Sequence, residues 1–230
     1  MRPTRHEIDG PWGKLSMDPP GVRRIGPGAL PCPPMAQDVS LSSVLHSRLE
    51  QARAAIAALE SRAPQVESLM EAVRQTLVAG GTLFTCGNGG SAAEALHLAE
   101  ELTGRYRSNR RPLPSVCLCA DPTALTCIAN DFGFEQVFAR PLAALGRPGD
   151  ALVVFSTSGR SANLVAALSA ARSKDMRTIG LLGGDGGACL PLCDAAVTVS
   201  GVDGAAVQEA HQIIMHAICE SLEDGASPRA

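Results

Sequence analysis

Two short polar loops carry residue types suited to binding an anion. The first, residues 86–91, reads Cys-Gly-Asn-Gly-Gly-Ser, and the second, residues 156–161, reads Ser-Thr-Ser-Gly-Arg-Ser. Each follows an apolar run and precedes a helical pattern. Glycines let the backbone approach a ligand closely, and a helix start offers unpaired N–H groups and the positive end of the dipole. The pair predicts a site for a phosphorylated small molecule; helix capping and tight turns alone are the alternative for either loop.

The serines of these loops are also candidates for helix capping. Ser91, Ser158 and Ser161 are predicted N-caps, because serine hydroxyls accept hydrogen bonds from the first N–H groups of a helix. Neither loop has the Gly-x-Gly-x-x-Gly spacing that is typical of dinucleotide-binding folds. The spacing therefore favours a small phosphorylated ligand over a dinucleotide.

Imidazole, carboxylate and amide groups near these loops are candidates for acid–base or metal chemistry. His97 and Glu101 are four residues apart, on one face of the helix after Ser91. Gln208, His211 and His216 lie on the last predicted helix. Because Gln208 and His216 are about 12 Å apart along that helix, they reach one ion only with stretched geometry or across a neighbouring helix. The alternative for His97 and Glu101 is a solvated pair on the helix surface without a ligand. For the three polar residues of the last helix, the alternative is a structural role with ordinary hydrogen-bond partners.

Alternating strands and helices must position these groups. Apolar runs predict strands at 82–86, 115–120, 151–155, 178–182 and 196–199, with a helix after each, the last at 205–222. Two further helices, at 41–59 and 63–78, precede the first strand. This alternation favours an α/β fold in which helices cover both faces of a parallel sheet. Ligands of such folds bind at the carboxyl ends of the strands, where both loops fall.

Composition narrows the class of protein. The 230 residues have a net charge of −3, 45% hydrophobic residues, one Trp and one Tyr, which argues against nucleic-acid binding. No apolar run reaches the ~20 residues that span a bilayer, and no signal-peptide pattern opens the chain. The eight cysteines lack disulfide-scaffold spacing and predict reduced thiols in a cytoplasmic protein. Residues 1–37, rich in proline, are a predicted disordered tail, and residues 38–230 a single domain.

Five motifs together resemble the phosphoheptose isomerases, the sedoheptulose 7-phosphate isomerase branch of the sugar isomerase (SIS) domain family. They are Asn88-Gly-Gly-Ser91, His97-Leu-Ala-Glu-Glu-Leu-Thr-Gly-Arg-Tyr106, Asn130-Asp-Phe-Gly-Phe134, Ser156-Thr-Ser-Gly-Arg-Ser161 and Gln208-Glu-x-His-x-x-x-x-His216. The resemblance implies a SIS domain, a three-layer α/β/α fold with a five-stranded parallel sheet and N-terminal helices. It also implies a homotetramer with sites between subunits.

The resemblance implies a role for each matching residue. One zinc ion per subunit is expected on His97, Glu101, Gln208 and His216. The phosphate is expected on Ser91, Ser156, Thr157, Ser158 and Ser161, and the rest of the sugar on Asn88, Gly89, Gly90, Asn130 and Asp131, with Glu101 and Gln208 also in contact. Two positions differ from the family pattern: Ala92, where histidine is frequent, and Ala205, where an acidic residue is frequent.

The implied reaction converts sedoheptulose 7-phosphate to D-glycero-D-manno-heptose 7-phosphate through an enediol, a step in heptose biosynthesis. Such an isomerisation needs a base beside the carbon and an acid beside the oxygen, roles assigned here to Glu101 and His216. Zinc ligation competes with these roles for the same lone pairs. The alternative is a non-catalytic SIS-domain regulator that binds a phosphosugar or a replication initiator. Such relatives keep the serine loops and tend to lose residues like Glu101 and His216.

Overall fold

The computed structural model describes residues 40–223. Helices α1 (Leu41–Glu60) and α2 (Ala63–Val78) precede strand β1 (Leu83–Gly87) and helix α3 (Gly90–Thr103). Strand β2 (Ser115–Cys117) leads to α4 (Pro122–Phe132) and α5 (Ala139–Leu145), and β3 (Ala151–Ser156) leads to α6 (Ala162–Arg172). Strands β4 (Arg177–Gly183) and β5 (Ala195–Val199) come next, followed by α7 (Gly204–Ser221). The predicted tail, residues 1–37, lies outside the described residues.

The five strands form one parallel sheet with the order β2-β1-β3-β4-β5. Leu83 pairs with Ala151 at the start of the two central strands, and Gly87 pairs with Phe155 at their ends. The carboxyl ends of β1 and β3 therefore lie side by side. All five predicted strands are present, although β2 is shorter than predicted because Ala120 N–H turns back to the Cys117 carbonyl at 3.2 Å.

Helices cover both faces of the sheet. Successive strand residues point to opposite faces, so Leu83 packs in one hydrophobic cluster and Phe84 in the other. The first cluster joins the sheet to α1, α2, α3 and α7, and the second joins it to α4, α5 and α6. The predicted three-layer α/β/α fold with N-terminal helices is confirmed.

The start of α7 is fixed by a cap and an ion pair. Asp203 accepts a hydrogen bond from the Ala206 N–H at 2.9 Å, which satisfies one of the unpaired donors of the first turn. The Arg48 guanidinium of α1 donates to both oxygens of the same carboxylate, at 2.8 and 3.0 Å. This contact holds α1 against the helix that carries Gln208 and His216.

Two local predictions are wrong. The connection from β4 to β5 contains only a short 3-10 turn, Leu190–Leu192, instead of a helix. Closely spaced glycines with positive φ, such as Gly184 and Gly186, keep this connection tight. Ser91 and Ser158 are not N-caps, because the N-cap of α3 is Gly89, two residues before Ser91, and Ser158 lies within its loop. Among the helices of residues 40–223, none combines the length and apolar character needed to cross a membrane.

Candidate functional site

The two serine loops meet at the carboxyl edge of the sheet, because they follow the neighbouring strands β1 and β3. They are joined by reciprocal amide hydrogen bonds. Asn88 Nδ2 donates to Asn163 Oδ1 at 3.0 Å, and Asn163 Nδ2 donates to Asn88 Oδ1 at 2.8 Å. Asn163 is buried in the first turn of α6. The sequence did not single out Asn163; its one signal is a polar residue among the buried positions of a helix.

Glycines give the first loop its shape. A Cβ on Gly87 would collide with the carbonyl group of Ser91, and one on Gly90 would collide with the side chain of Gln208. Gly89 has a φ of +58°, which side chains disfavour. The loop therefore folds tightly onto the start of α3, and the Gln208 side chain of α7 lies against it.

Two hydrogen bonds within the second loop, and an ion pair at its side, hold the shape of this loop. Ser156 Oγ accepts from the Gly159 N–H at 2.9 Å, and Ser158 Oγ accepts from the Arg160 N–H at 3.3 Å. The Arg160 guanidinium donates to the exposed Asp185 carboxylate at 2.7 and 2.8 Å. Among the described residues, the hydroxyls of Thr157 and Ser161 make no hydrogen bond, so both are available to a ligand.

A helix begins at each of the two loops. Helix α3 has 14 residues and begins at the first loop, and α6 has 11 residues and begins at the second. The N-terminus of a helix carries about half a positive charge, together with unpaired N–H groups. The loops and the two helix starts provide the environment that a phosphate group requires.

His97, Glu101 and His216 come together further along α3 and α7. His97 Nε2 lies 3.2 Å from Glu101 Oε1, and the Glu101 side chain is 16% exposed. The rings of His97 and His216 meet edge to face, with centroids 5.5 Å apart. A half-buried carboxylate beside one imidazole, with a second imidazole against the first, can move protons or bind a cation.

Tyr106 supports this cluster from the side. Its ring stacks on His216, with centroids 5.7 Å apart and an interplanar angle of 29°. Its hydroxyl donates to Glu220 Oε1 at 3.2 Å. Burial, and then the contact with Glu220, raises the pKa of Tyr106, so the phenol stays a neutral donor. Sequence reasoning missed this role, although Tyr106 closes one of the family motifs.

A buried arginine fixes the end of α3. Arg110 donates to the main-chain carbonyl of Glu101 at 2.7 Å and to that of Leu102 at 3.1 Å. The last carbonyls of a helix lack intrahelical partners, so these bonds stop the helix from fraying. Arg110 therefore holds the backbone from which the Glu101 side chain projects, a role that no motif indicated.

The donors for the predicted metal ion are only partly together. Ligand atoms of His97, Glu100 and Glu101 lie within 4.8 Å of one another, and the ring of His216 adjoins that of His97. Imidazole nitrogen and carboxylate oxygen suit zinc. Gln208 lies instead against Gly90, two helical turns before His216. Its part in a metal site stays a prediction.

Three other predicted or candidate residues lie apart from the cluster. Asn130 and Asp131 are exposed at the end of α4, where Asn130 Nδ2 donates to Asp131 Oδ1 at 2.7 Å. Within residues 40–223, their side chains make no hydrogen bond to the serine loops, and their part in the site stays a prediction. His211 is fully buried between α7 and α3, where Glu94 is its polar neighbour.

Cysteines lie beneath the first loop. The Cys119 thiol donates to the Gly87 carbonyl at 3.3 Å, and the contact with Cys119 lowers the pKa of Cys117 to about 6. A low pKa makes a thiol reactive only where reagents reach it, and Cys117 is buried. These thiols therefore support the loop. The seven cysteines within residues 40–223 form no disulfide.

Comparison with known proteins agrees with this geometry. Residues 49–183 match the model of the SIS domain family. The chain is 44% identical over 165 residues to a phosphoheptose isomerase from Roseiflexus sp. (strain RS-1), covering 72% of this chain and 84% of the relative. It is 40% identical over 187 residues to a phosphoheptose isomerase from Cytophaga hutchinsonii, covering 80% of this chain and 97% of the relative.

A solved structure shows the same fold. The phosphoheptose isomerase GmhA from Neisseria gonorrhoeae superposes with a TM-score of 0.73 at 39% sequence identity, covering 78% of this chain and 96% of that one. The predictions of a SIS domain and of a sugar-phosphate isomerase are confirmed. On the strength of these similarities, the chain belongs to the phosphoheptose isomerase family of SIS-domain proteins.

Proposed function

We propose that this enzyme converts sedoheptulose 7-phosphate to D-glycero-D-manno-heptose 7-phosphate through an enediol, within heptose biosynthesis. The observation that carries the proposal is the meeting of Glu101 and His97 on α3 with His216 on α7. The same two helices also reach the first serine loop, where Gln208 lies against Gly90. Acid–base groups and a phosphate-binding loop are thus held by one pair of helices.

The phosphate end of the sugar is assigned to the two loops. Thr157, Ser158 and Ser161 present hydroxyls at the surface of the second loop, and Ser91 stands in the first turn of α3. Ser156 is buried and shapes the loop through its bond to Gly159. Since the helix dipoles favour negative charge here, the phosphate would anchor one end of the substrate and leave the carbonyl end free to reach Glu101.

Glu101 is assigned as the base and His216 as the acid. Glu101 removes a proton from C1 while His216 protonates the C2 carbonyl oxygen, which gives the enediol. Glu101 then returns its proton to C2 while the C1 hydroxyl gives its proton to His216, which leaves the C1 aldehyde and restores both groups. Partial burial strengthens the electrostatic action of Glu101 on a bound substrate. Tyr106, stacked on His216, limits the orientations of that imidazole.

Zinc, one ion per subunit, is proposed as the metal. His97, Glu101 and His216 would hold it, since they supply the nitrogen and oxygen donors that zinc accepts, and Gln208 is the proposed fourth ligand. When bound, zinc would polarise the carbonyl of the substrate. Because metal and proton compete for the same lone pairs, Glu101 and His216 cannot serve as ligands and as acid or base at the same moment.

A homotetramer is proposed as the working form. Helix α1 exposes a series of large apolar side chains: Leu41, Val44, Leu45, Leu49 and Ile56. Contiguous exposed apolar surface is typical of contact with another subunit. Asn130 and Asp131, which are exposed at the end of α4, would then contribute to a site completed between subunits. Residues 38–230 are the proposed catalytic domain. A cytoplasmic location is proposed as well, because reduced cysteines are typical of a reducing compartment.

One experiment tests the function. The purified protein is incubated with sedoheptulose 7-phosphate, and the aldose product is followed by NMR together with deuterium uptake from the solvent. Formation of D-glycero-D-manno-heptose 7-phosphate is expected. A protein that binds the sugar phosphate without forming the aldose or exchanging the proton would instead belong with the non-catalytic SIS-domain regulators.

A further inference from the structure

The interface between α3 and α7 contains a polar pair buried among apolar side chains. Glu94 of α3 is 3% exposed and His211 of α7 is 0% exposed, and Glu94 Oε1 lies 3.7 Å from His211 Nδ1. Within residues 40–223, neither carboxylate oxygen and neither ring nitrogen has a hydrogen-bond partner. Burying such groups costs free energy. The roles proposed above use neither residue, so the pair needs a separate explanation.

The pair lies midway along the contact between the two helices. On one side of it, Gly90 of α3 meets Gln208 of α7. On the other side, the rings of His97 and His216 lie 5.5 Å apart. The helices therefore run in the same direction, and Glu94–His211 is the middle one of three successive polar contacts between them.

The rest of this interface is apolar. It includes Ala95, Leu98 and Ala99 of α3 and Ala210, Ile214 and Ile218 of α7. Apolar attraction has no direction, so such surfaces tolerate sliding of one helix along the other. A shift by one residue, about 1.5 Å along the axis, would leave Glu94 and His211 facing apolar neighbours instead of each other. In coiled coils, a single buried polar residue specifies helix register in this way.

We propose that Glu94 and His211 are positioning residues that fix the axial register of α3 against α7. This register sets the distance from Glu101 on α3 to His216 on α7. The His211 ring also lies edge-on to Phe155, with centroids 6.1 Å apart, and Phe155 directly precedes the Ser156 loop. The pair thus aligns the acid–base groups with the end of the strand that leads into the phosphate loop.

A double substitution separates positioning from stability. Glu94→Met combined with His211→Leu removes the polar pair and roughly keeps its volume, a replacement that is often neutral or stabilising for buried pairs. The kinetic readout rests on the proposed function: kcat for sedoheptulose 7-phosphate is expected to fall at least about tenfold, because a misplacement of about 1 Å can cost ~10²-fold. KM should change less than kcat, since the Ser156–Ser161 loop lies on neither helix, whereas Ser91 is in the first turn of α3. Glu94→Gln, which keeps polar atoms facing His211, should recover most of kcat.

Tyr106 provides a readout that does not depend on turnover. It is the single tyrosine of the chain, and it stacks on His216. Labelling tyrosine with ¹³C at Cζ therefore gives one ring signal, whose chemical shift depends on that stack. This signal is expected to move in the double variant. Ile214→Val, which removes one methylene from the same interface, is the matched control and should lower the melting temperature without moving the signal or kcat.

The two readouts separate this proposal from the proposed function. If the parent does not isomerise sedoheptulose 7-phosphate, the function fails, and the tyrosine signal still tests the register. A folded double variant with the parent's kcat and the parent's tyrosine signal overturns the positioning role. If the double variant is too unstable to purify, Glu94→Ala with His211 retained is measured instead, and the same two readouts decide.

Discussion

The substitution Glu101→Gln is the most direct test of the proton transfer. The Glu101 side chain is 16% exposed, and its Oε1 lies 3.2 Å from His97 Nε2. The amide keeps the shape and offers an oxygen to His97, so weakening this one hydrogen bond should destabilise the fold by only about 1 kcal/mol. Loss of a positioned base lowers kcat by roughly 10²–10⁴-fold, which corresponds to about 2.7–5.4 kcal/mol of transition-state free energy. The fold should therefore persist while turnover collapses.

The assay measures kcat for sedoheptulose 7-phosphate and the exchange of solvent deuterium into recovered substrate. Exchange reports the abstraction of the carbon-bound proton, so it should fall together with kcat. Glu100→Gln is the matched control, because Glu100 is exposed on the same turn of α3 and loses the same charge. Glu100 lies in the same carboxylate–imidazole cluster but is neither a proposed zinc ligand nor the proposed base, so its variant should keep kcat within about threefold, as expected for an exposed charge.

Three results would refute this reasoning in different ways. A Glu101→Gln variant that exchanges and turns over like the parent removes Glu101 as the base. Equal losses in the Glu100 and Glu101 variants assign the effect to the charge of the cluster instead of proton transfer. Parent and variants that all bind the sugar phosphate without turnover return the protein to the non-catalytic class.

Three further predictions concern the phosphate, the metal and the cap of α7. Ser158→Asp adds a negative charge to the second loop and should raise KM strongly in steady-state kinetics with the melting temperature unchanged; unchanged kinetics would place the phosphate elsewhere. Metal analysis should find about one zinc per subunit, reduced in His97→Ala; full occupancy in that variant would contradict the site. The Arg48 hydrogen bond lowers the pKa of Asp203 below its ordinary 3.8, so the folded state binds fewer protons than the unfolded state. The stabilisation is present above that value and lost as pH falls through the lowered pKa. Melting curves of Arg48→Ala should show a smaller loss, because the Ala206 N–H still bonds the carboxylate, and acid profiles identical to those of the parent would contradict the role of Arg48.

The sequence predicted the sheet because hydrophobic pattern determines it locally. Runs such as 151–155 are apolar throughout, as buried parallel strands are, and Gly80 and Gly81 mark the end of α2. The β4–β5 connection was harder to predict. It contains apolar residues in a plausible helical spacing, but positive φ at Gly184, Gly186 and Gly187 commits it to turns. Glycine conformation is decided by the surrounding packing, which the sequence does not display.

From the sequence, the residues of the candidate site could be predicted where they lie in motifs, but most of the contacts between them could not. His97 and Glu101 are four residues apart, so one helix brings them together, whereas the ring of His216 reaches them through packing of α7 on α3. The Asn88–Asn163 bonds, the Tyr106 stack and the Glu94–His211 pair all join residues distant in sequence. No spacing rule covers such pairs, because the fold as a whole sets their distance.

Residues of the candidate site come from both layers of helices. Helices α3 and α7, which carry Glu101 and His216, pack on one face of the sheet, while α6, which begins at the second serine loop, packs on the other. Between the layers lie the central strands and the Asn88–Asn163 bridge. On the proposed function, substitutions in the α4–α6 layer would change the part of the phosphate site that lies at the start of α6 without repacking the helices that carry the proposed base and acid. The architecture lets selection alter ligand preference and chemistry as separate traits.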